Sequence, residues 1–530
     1  MSARPFLQRA LVALLTVALT GAQAQVRLPA LGESASDEFN VSTERRTGEQ
    51  IMREIRRDPD YLDDPMLLEY VQALWQPLVA ASRQAGNIEP DIDRNFPFEI
   101  FLVRDRTVNA FALPGGYVGV HTGLIAMTVH GDELASVLAH ELAHVTQRHI
   151  ARSVVAGSRS SMVGLAALIL GILAASRTGN ADMANAAIMG SQGIAVQGQL
   201  NFSRDMEREA DRMGYGTLGA AGFSTAAMAA MFEKLDTANR LNDNGSFPYL
   251  RSHPLTVERM AEARSRALFG GRALTPPSLR HVMMQARAKV IGERNVQGLQ
   301  RFEEQATGQT GIQLRERLAA AYAGALAASI NRNAPLAEKA AAEAVQLAMA
   351  ATPRDPQAER TAQLLLAQVR LDRGDAALAL KTLDAIADAP TSRPALLLRA
   401  QAQLDLQRQQ GAVQAAALRQ STETLQTWVA DHPQDAAAWA LLAQSADAVG
   451  LKLRALRAGA EARAAIGDLN GAIDRLRAGQ GAARGAAGQD FIEASVIDAR
   501  LRELQGQRRA LALEARGGRS TDKPEEPPPQ

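Results

Sequence analysis

Apolar side chains recur at helical spacing through the first part of the chain, at Ile51, Ile55, Leu67, Leu68, Val71, Leu74 and Leu78, and Pro65 suits a first helical turn. From Pro97 to Val103 the pattern changes to a short run rich in Phe and Ile. Asn109-Ala110-Phe111-Ala112-Leu113 follows, then a Pro114-Gly115-Gly116 break, and Tyr117 to His121 resumes with β-branched alternation. These runs predict a small sheet of two or three strands, with helix returning at Asp132. Residues 25 to 46 carry no clear periodicity and read as a flexible lead-in.

Thr275-Pro276-Pro277-Ser278 interrupts the helical pattern and marks the best interior boundary. Beyond it the chain is Ala-rich helix almost to its end. Gly374-Asp375, Ala379 and Leu383 recur with identical offsets as Gly467-Asp468, Ala472 and Leu476. Their shift of 93 residues is close to a multiple of a unit of about 34, the length of a tetratricopeptide repeat. Thr352-Pro353 and His432-Pro433 suit the turns of such repeats; an irregular helical bundle is the alternative. The tail from Arg516 to Gln530, rich in Pro and charge, reads as disordered. The predicted fold is mostly α: a peptidase-like domain with a small β-sheet over residues 25–275, then a tetratricopeptide-like helical repeat domain over 276–515.

Composition narrows the function. Lys plus Arg number 58 against 57 Asp plus Glu, which leaves no basic excess for binding nucleic acid. The absence of cysteine removes thiol catalysis, disulfides and cysteine-based zinc sites together. At the N-terminus Arg4 and Arg9 precede an apolar run from Ala10 to Leu19, and Gly21-Ala22-Gln23-Ala24 offers small residues for cleavage. Residues 1–24 therefore read as a secretory signal; an uncleaved anchor would need roughly 20 spanning residues.

The chemistry concentrates in Leu138-Ala139-His140-Glu141-Leu142-Ala143-His144-Val145. Residues four apart share a helix face, so His140 and His144 can offer two imidazole nitrogens to one ion. Glu141 projects to the edge of that face, where it can act as a base on water without being a ligand. A catalytic zinc takes three protein ligands and leaves one position open. Ser203-Arg204-Asp205-Met206-Glu207-Arg208-Glu209-Ala210-Asp211 supplies Glu207 as third ligand and, one turn on, Asp211 as the carboxylate that fixes the tautomer of His140. Glu209 competes for the ligand role but lies on another side of that helix.

His-Glu-x-x-His, Glu-x-x-x-Asp, Asn109-Ala110-Phe111-Ala112 with its Pro-Gly-Gly break, and Ser252-His253-Pro254-Leu255 together resemble the zinc metallopeptidase family that includes the CAAX prenyl proteases and HtpX-like proteases. With a signal sequence in front and repeats behind, the chain is most similar to the periplasmic branch, over about residues 45 to 515. The resemblance implies a zincin-like peptidase domain, one zinc per chain and endoproteolysis of polypeptide substrates. It further implies chaperone-like quality control of outer-membrane proteins, with the outer-membrane β-barrel assembly machinery as partner. It also implies that His253 can occupy the fourth zinc position and hold the enzyme latent; a loop histidine with no role is the alternative.

Asn109, Ala110, Phe111 and Ala112 form a strand that could pair with an extended substrate, or an ordinary edge strand. Met162 to Ala175 is apolar but too short to span a bilayer; it reads as a buried or site-covering helix, or as a segment making peripheral membrane contact. Residues 179–199 read as a connection. His121, His130, His149, His281 and His432 have no acid or spacing partner nearby in sequence and read as surface or packing residues. Two functions stand: a zinc endopeptidase, or a non-enzymatic periplasmic chaperone or scaffold with a structural zinc. Retention of Glu141 beside both His ligands favours the first.

Overall fold

A computed structural model describes residues 39–156 and 203–517, apart from short stretches at 242–246, 271, 275, 309–312, 387–391, 412–414 and 486–490. The signal, the 162–175 run, the 179–199 connection and residues 518–530 of the tail lie outside the described residues.

Helix starts earlier than the periodicity indicates. Asn40 accepts a hydrogen bond from the Thr43 amide and opens α1 (Val41–Ile55), so residues 41–46, read as lead-in, are helical. Strand β1 (Tyr61–Leu62) follows, then α2 (Pro65–Gln84), which begins at Pro65 as predicted with Asp64 accepting from the Leu67 amide at 2.8 Å. Trp75 of α2 is fully buried, and its indole N–H donates to the Phe98 carbonyl at 2.6 Å, tying helix to sheet. After α3 (Pro90–Asn95) come β2 (Glu99–Val103), β3 (Ala110–Leu113) and β4 (Tyr117–His121).

The described sheet has four strands in the order β1-β2-β4-β3, more than the two or three expected. β2 and β4 run parallel, with Glu99 opposite Tyr117 and Val103 opposite His121, while β1 and β3 pair antiparallel on either side. β3 is thus an edge strand. The short helix α4 (Thr122–Met127) leads into α5 (Gly131–Thr146), which packs along β3, and α6 (His149–Ala156). The helices α7 (Arg204–Ala220), α8 (Ala226–Leu241), α9 (Pro248–Ser252) and α10 (Val257–Gly270) complete this half.

The Thr-Pro-Pro-Ser break ends as a cap: Ser278 accepts from the His281 amide at 3.1 Å and starts α11 (Leu279–Gly292). Then follow α12 (Val296–Thr307), α13 (Leu314–Ile330), α14 (Ala334–Met349), α15 (Pro356–Asp372), α16 (Ala376–Asp384), α17 (Arg393–Gln410), α18 (Ala415–Asp431), α19 (Ala436–Ala448), α20 (Lys452–Ala465), α21 (Leu469–Gly485) and α22 (Phe491–Gly517). Alternate members of this array touch, α11 with α13, α13 with α15, α15 with α17 and α17 with α19, as stacked helix pairs do. The internal echo has a structural basis. Gly374 and Gly467 both take φ near +90° or +80° (91° and 79°), a left-handed turn closed by Gly before the next helix, and Ala379, Leu383, Ala472 and Leu476 are all buried.

One apolar core runs from Val41 to Ala395 without interruption at residues 275–278. Polar contacts reinforce it. Arg287 of α11 holds Asp64 through two 2.7 Å hydrogen bonds, Arg360 of α15 holds Glu69 at 2.9 Å, and Arg393 of α17 holds Asp63 at 2.7 and 2.9 Å. All three acids stand at the start of α2. Farther on, the array returns toward α1, enclosing a cleft of about 1300 Å³ lined by Arg45, Arg53, Tyr117, Glu461 and Arg500 among others.

Candidate metal centre

Helix α5 is buried from Glu133 to Thr146, so both of its histidines are shut off from solvent. Its start is fixed by Glu133, whose carboxylate accepts from the amides of Val129 (2.6 Å) and His130 (3.3 Å) and pairs with Lys234 at 2.5 Å. Helix α7, capped by Ser203, crosses α5 with Glu207 and Asp211 turned toward it. The approach is close at Gly214: a Cβ there would stand 3.1 Å from the Ala139 carbonyl and the His140 nitrogen. At the end of α9 the His253 amide donates to the Tyr249 carbonyl at 2.9 Å, and the Tyr249 ring stacks on the His253 ring at 4.7 Å.

These elements bring together His140, His144, Glu207 and His253, whose donor atoms all lie within 4.8 Å of one another. Nε2 of His140 is 3.0 Å from Nε2 of His144 and 3.3 Å from Nδ1 of His253, and Oε1 of Glu207 is 3.0 Å from His253 and 3.4 Å from His144. Three ring nitrogens and a carboxylate converging on one point in a buried site fit a cation at their centre, and the N/O donor set suits zinc and its transition-metal neighbours. Glu141 stands outside that set. It is fully buried, neither of its carboxylate oxygens has a hydrogen-bond partner among the described residues, and Oε1 is 3.6 Å from Nε2 of His253. Leaving a carboxylate so is costly, which marks it as held for chemistry rather than stability.

Behind the donors, Nδ1 of His140 lies 3.0 Å from Oδ1 of Asp211, close in distance but bent away from the ring N–H direction. Arg259 of α10 closes on Asp211 with Nε and Nη2, on Glu207 with Nη1 at 2.7 Å, and on the Pro254 carbonyl at 2.8 Å. Burial opposes charge on His140, yet Asp211 and Glu207 outweigh it and raise its pKa to about 10. Burial also opposes charge on Glu207, but His253, His140 and His144 hold its carboxyl well below the usual range. Burial, with His140 and His253 beside it, instead pushes His144 well below its ordinary value against the pull of Glu207.

Glu209 faces away from the donors, as expected, but it is not idle: it pairs with His149 at 3.1 Å and Arg152 at 2.9 Å. This corrects the reading of His149 as a histidine without an acid partner. His121 and His130 likewise meet Asp105 at 3.8 Å and Glu133 at 3.4 Å, whereas His432 stacks exposed on Trp428. Asn109 is buried with Oδ1 lacking a partner among the described residues, and Ala110, Phe111 and Ala112 form the outer strand of the sheet beside α5. A pocket of about 190 Å³ lined by Arg204, Glu207, Pro254 and Arg259 opens next to the cluster. Among the described residues no helix is long and apolar enough to cross a membrane.

Sequence reasoning missed Arg259, His149 and Tyr249. The contacts of Arg259 with Asp211 and of His149 with Glu209 bridge 48 and 60 residues, with no local spacing to announce them, while Tyr249 lies four residues before His253 but carries no donor group the motif calls for.

Comparison with known proteins agrees with this geometry. Residues 70–267 match peptidase family M48. The chain is 30% identical over 496 residues to the beta-barrel assembly-enhancing protease of Yersinia pestis, covering 91% of this chain and 92% of that one. It is 29% identical over 489 residues to the protein of that name from Escherichia coli (strain K12), covering 90% and 92%. A provisionally named beta-barrel assembly-enhancing protease of Vibrio cholerae is 40% identical over 244 residues, a match that spans 46% of this chain and about half (48%) of that relative. With its buried His/His/Glu/His group intact and its likeness to the Yersinia protein extending over nine-tenths of both chains, this chain belongs to the metallopeptidases of family M48.

Proposed function

We propose that the protein is a zinc-dependent endopeptidase of the periplasm that hydrolyses misfolded or stalled outer-membrane proteins and assists their assembly. The observation that carries the hydrolytic reading is Glu141, a fully buried carboxylate with both oxygens unpartnered, set beside a convergent donor cluster. Zinc held by His140, His144 and Glu207 would supply Lewis-acid activation of water and of the scissile carbonyl. Glu141 then takes the proton of the attacking water and returns it to the leaving amine. Asp211, steadied by Arg259, orients His140. The outer edge of β3, from Ala110 to Ala112, aligns an extended peptide backbone along α5, with Asn109 at its entry.

The names of the relatives support the outer-membrane clients, and stacked helix pairs support a recognition role for residues 276–515, with the β-barrel assembly machinery as partner. In this division of labour residues 25–275 cut and residues 276–515 recognise; residues 1–24 direct export.

A second reading has its own support. His253 brings a fourth protein donor to the cluster, the arrangement of a structural zinc or of a latent enzyme. The deciding experiment measures metal content and digestion of unfolded casein, with and without chelator, for the parent and Glu141→Gln. The endopeptidase reading requires chelator-sensitive cleavage that Glu141→Gln abolishes while its metal content stays at parental level. Metal without cleavage in the parent, even against unfolded outer-membrane proteins, would favour the scaffold.

A further inference from the structure

His144 turns Nε2 toward the donor cluster, so its other nitrogen faces away, and that Nδ1 lies 2.9 Å from Nδ1 of His149. Two ring nitrogens at that distance are joined by one hydrogen. The lone pair of His144 Nε2 points at the cluster, so Nδ1 carries the hydrogen and donates it to His149. The remaining hydrogen of His149 then sits on Nε2, 3.1 Å from Oε2 of Glu209, which Arg152 holds at 2.9 Å. Each donor in this series meets an acceptor. His140 is backed by a carboxylate, whereas His144 is backed by a second imidazole.

The backbone is bent to make this contact. In a continuous helix a residue five positions on lies about 140° around the axis from His144. Instead α5 ends at Thr146, Arg148 adopts φ of 51°, and α6 restarts at His149. A left-handed conformation is strained for a residue with a side chain. Arg148 is held there by its side chain, which donates to Glu44 at 2.9 Å and to the Phe39 carbonyl at 2.7 Å. The result returns the fully buried His149 ring to the back of His144.

We propose that His149 and Glu209 are positioning residues that fix the tautomer and ring plane of His144, so that its Nε2 is presented to the metal. The proposal rests on the reading of the cluster as a zinc centre. It is tested on the full chain with His149→Leu, His149→Asn and His149→Gln. Zinc affinity is measured by chelator competition, and the site geometry by the visible spectrum of the cobalt-loaded protein. An Asn side chain puts its carbonyl oxygen where Nδ1 of histidine stood, whereas Gln reaches toward the Nε2 position. Leu and Gln should weaken zinc binding by about 10- to 100-fold and alter the cobalt spectrum, with Asn retaining most of the affinity. Parental affinity and spectrum in His149→Leu would overturn the proposal. Should the Leu variant not fold, equal behaviour of Asn and Gln overturns it. A parent that takes up neither zinc nor cobalt refutes the zinc reading itself, a result the variants are not needed to see.

Discussion

Arg259 grips Asp211 in a two-pronged ion pair, Nε to Oδ2 at 2.6 Å and Nη2 to Oδ1 at 2.8 Å, with both side chains almost wholly buried. The same guanidinium reaches Glu207 and the carbonyl next to His253, so one cation organises three parts of the centre. Removing one partner of a buried pair strands the other. Arg259→Ala should destabilise the fold by about 3–5 kcal/mol and release the metal, whereas Arg259→Lys, which cannot form the fork, should fall between. Urea unfolding with parallel metal analysis reads both effects; a loss under about 1 kcal/mol would contradict the role.

His253 is the one donor of the four that sits beyond both α5 and α7, between a five-residue helix and Pro254. His253→Ala should raise basal cleavage of unfolded casein several-fold, with metal still held by His140, His144 and Glu207. Unchanged activity at full metal content would remove the latch, and loss of metal would make His253 a structural ligand.

Gly214→Ala sets two effects against each other. Helix propensity favours Ala by about 1 kcal/mol. The added Cβ at 3.1 Å from the backbone of Ala139 and His140 should cost about 1–3 kcal/mol and push α7, with Glu207, off α5. We expect a lower melting temperature together with weaker metal retention. A stabilised variant would show that the helices can yield at that crossing.

The fold should weaken as pH falls, in part through His281. Its Nδ1 accepts from the Tyr70 hydroxyl at 2.6 Å and its Nε2 donates to the Thr128 carbonyl at 3.0 Å, so the neutral ring is satisfied on both sides. Burial is the largest influence and, with His130 and Lys234 nearby, it lowers the pKa to about 4 against the opposing pull of Thr128 and Glu133. An unfolded histidine titrates near 6.5. Below that pH the unfolded chain gains a proton that the fold refuses, so stability is full above about 6.5 and falls by about 3 kcal/mol by the time pH reaches about 4. His281→Gln should lose about 2–3 kcal/mol less than the parent between pH 7.5 and 4.5 in urea unfolding. Equal losses would count against the assignment.

What the sequence disclosed was local. His140 and His144 announce themselves by four-residue spacing, Glu207 and Asp211 by the same, and the Pro114-Gly115-Gly116 break by its turn residues. The parallel pairing of β2 with β4 escaped because β3 intervenes in sequence, and β1 because two residues carry no alternation. His149 and Arg259 escaped for a different reason. Each looks like an ordinary helical side chain until α7 folds into place and supplies both acids, Glu209 and Asp211, from a distance. The Pro-rich break is non-helical at residues 276–278, yet the apolar core passes across it, because a change in backbone pattern says nothing about which side chains later pack together.

Arg287, Arg360 and Arg393 come from three helices of the array, α11, α15 and α17, and all grip acids at the start of α2. Mechanically they act as a row of rivets. A load on the array reaches α2 through Asp63, Asp64 and Glu69 at its start, and α2 lies directly against α5. Torque on the array is therefore delivered to the helix bearing His140, Glu141 and His144 through a stiff joint rather than a slack tether.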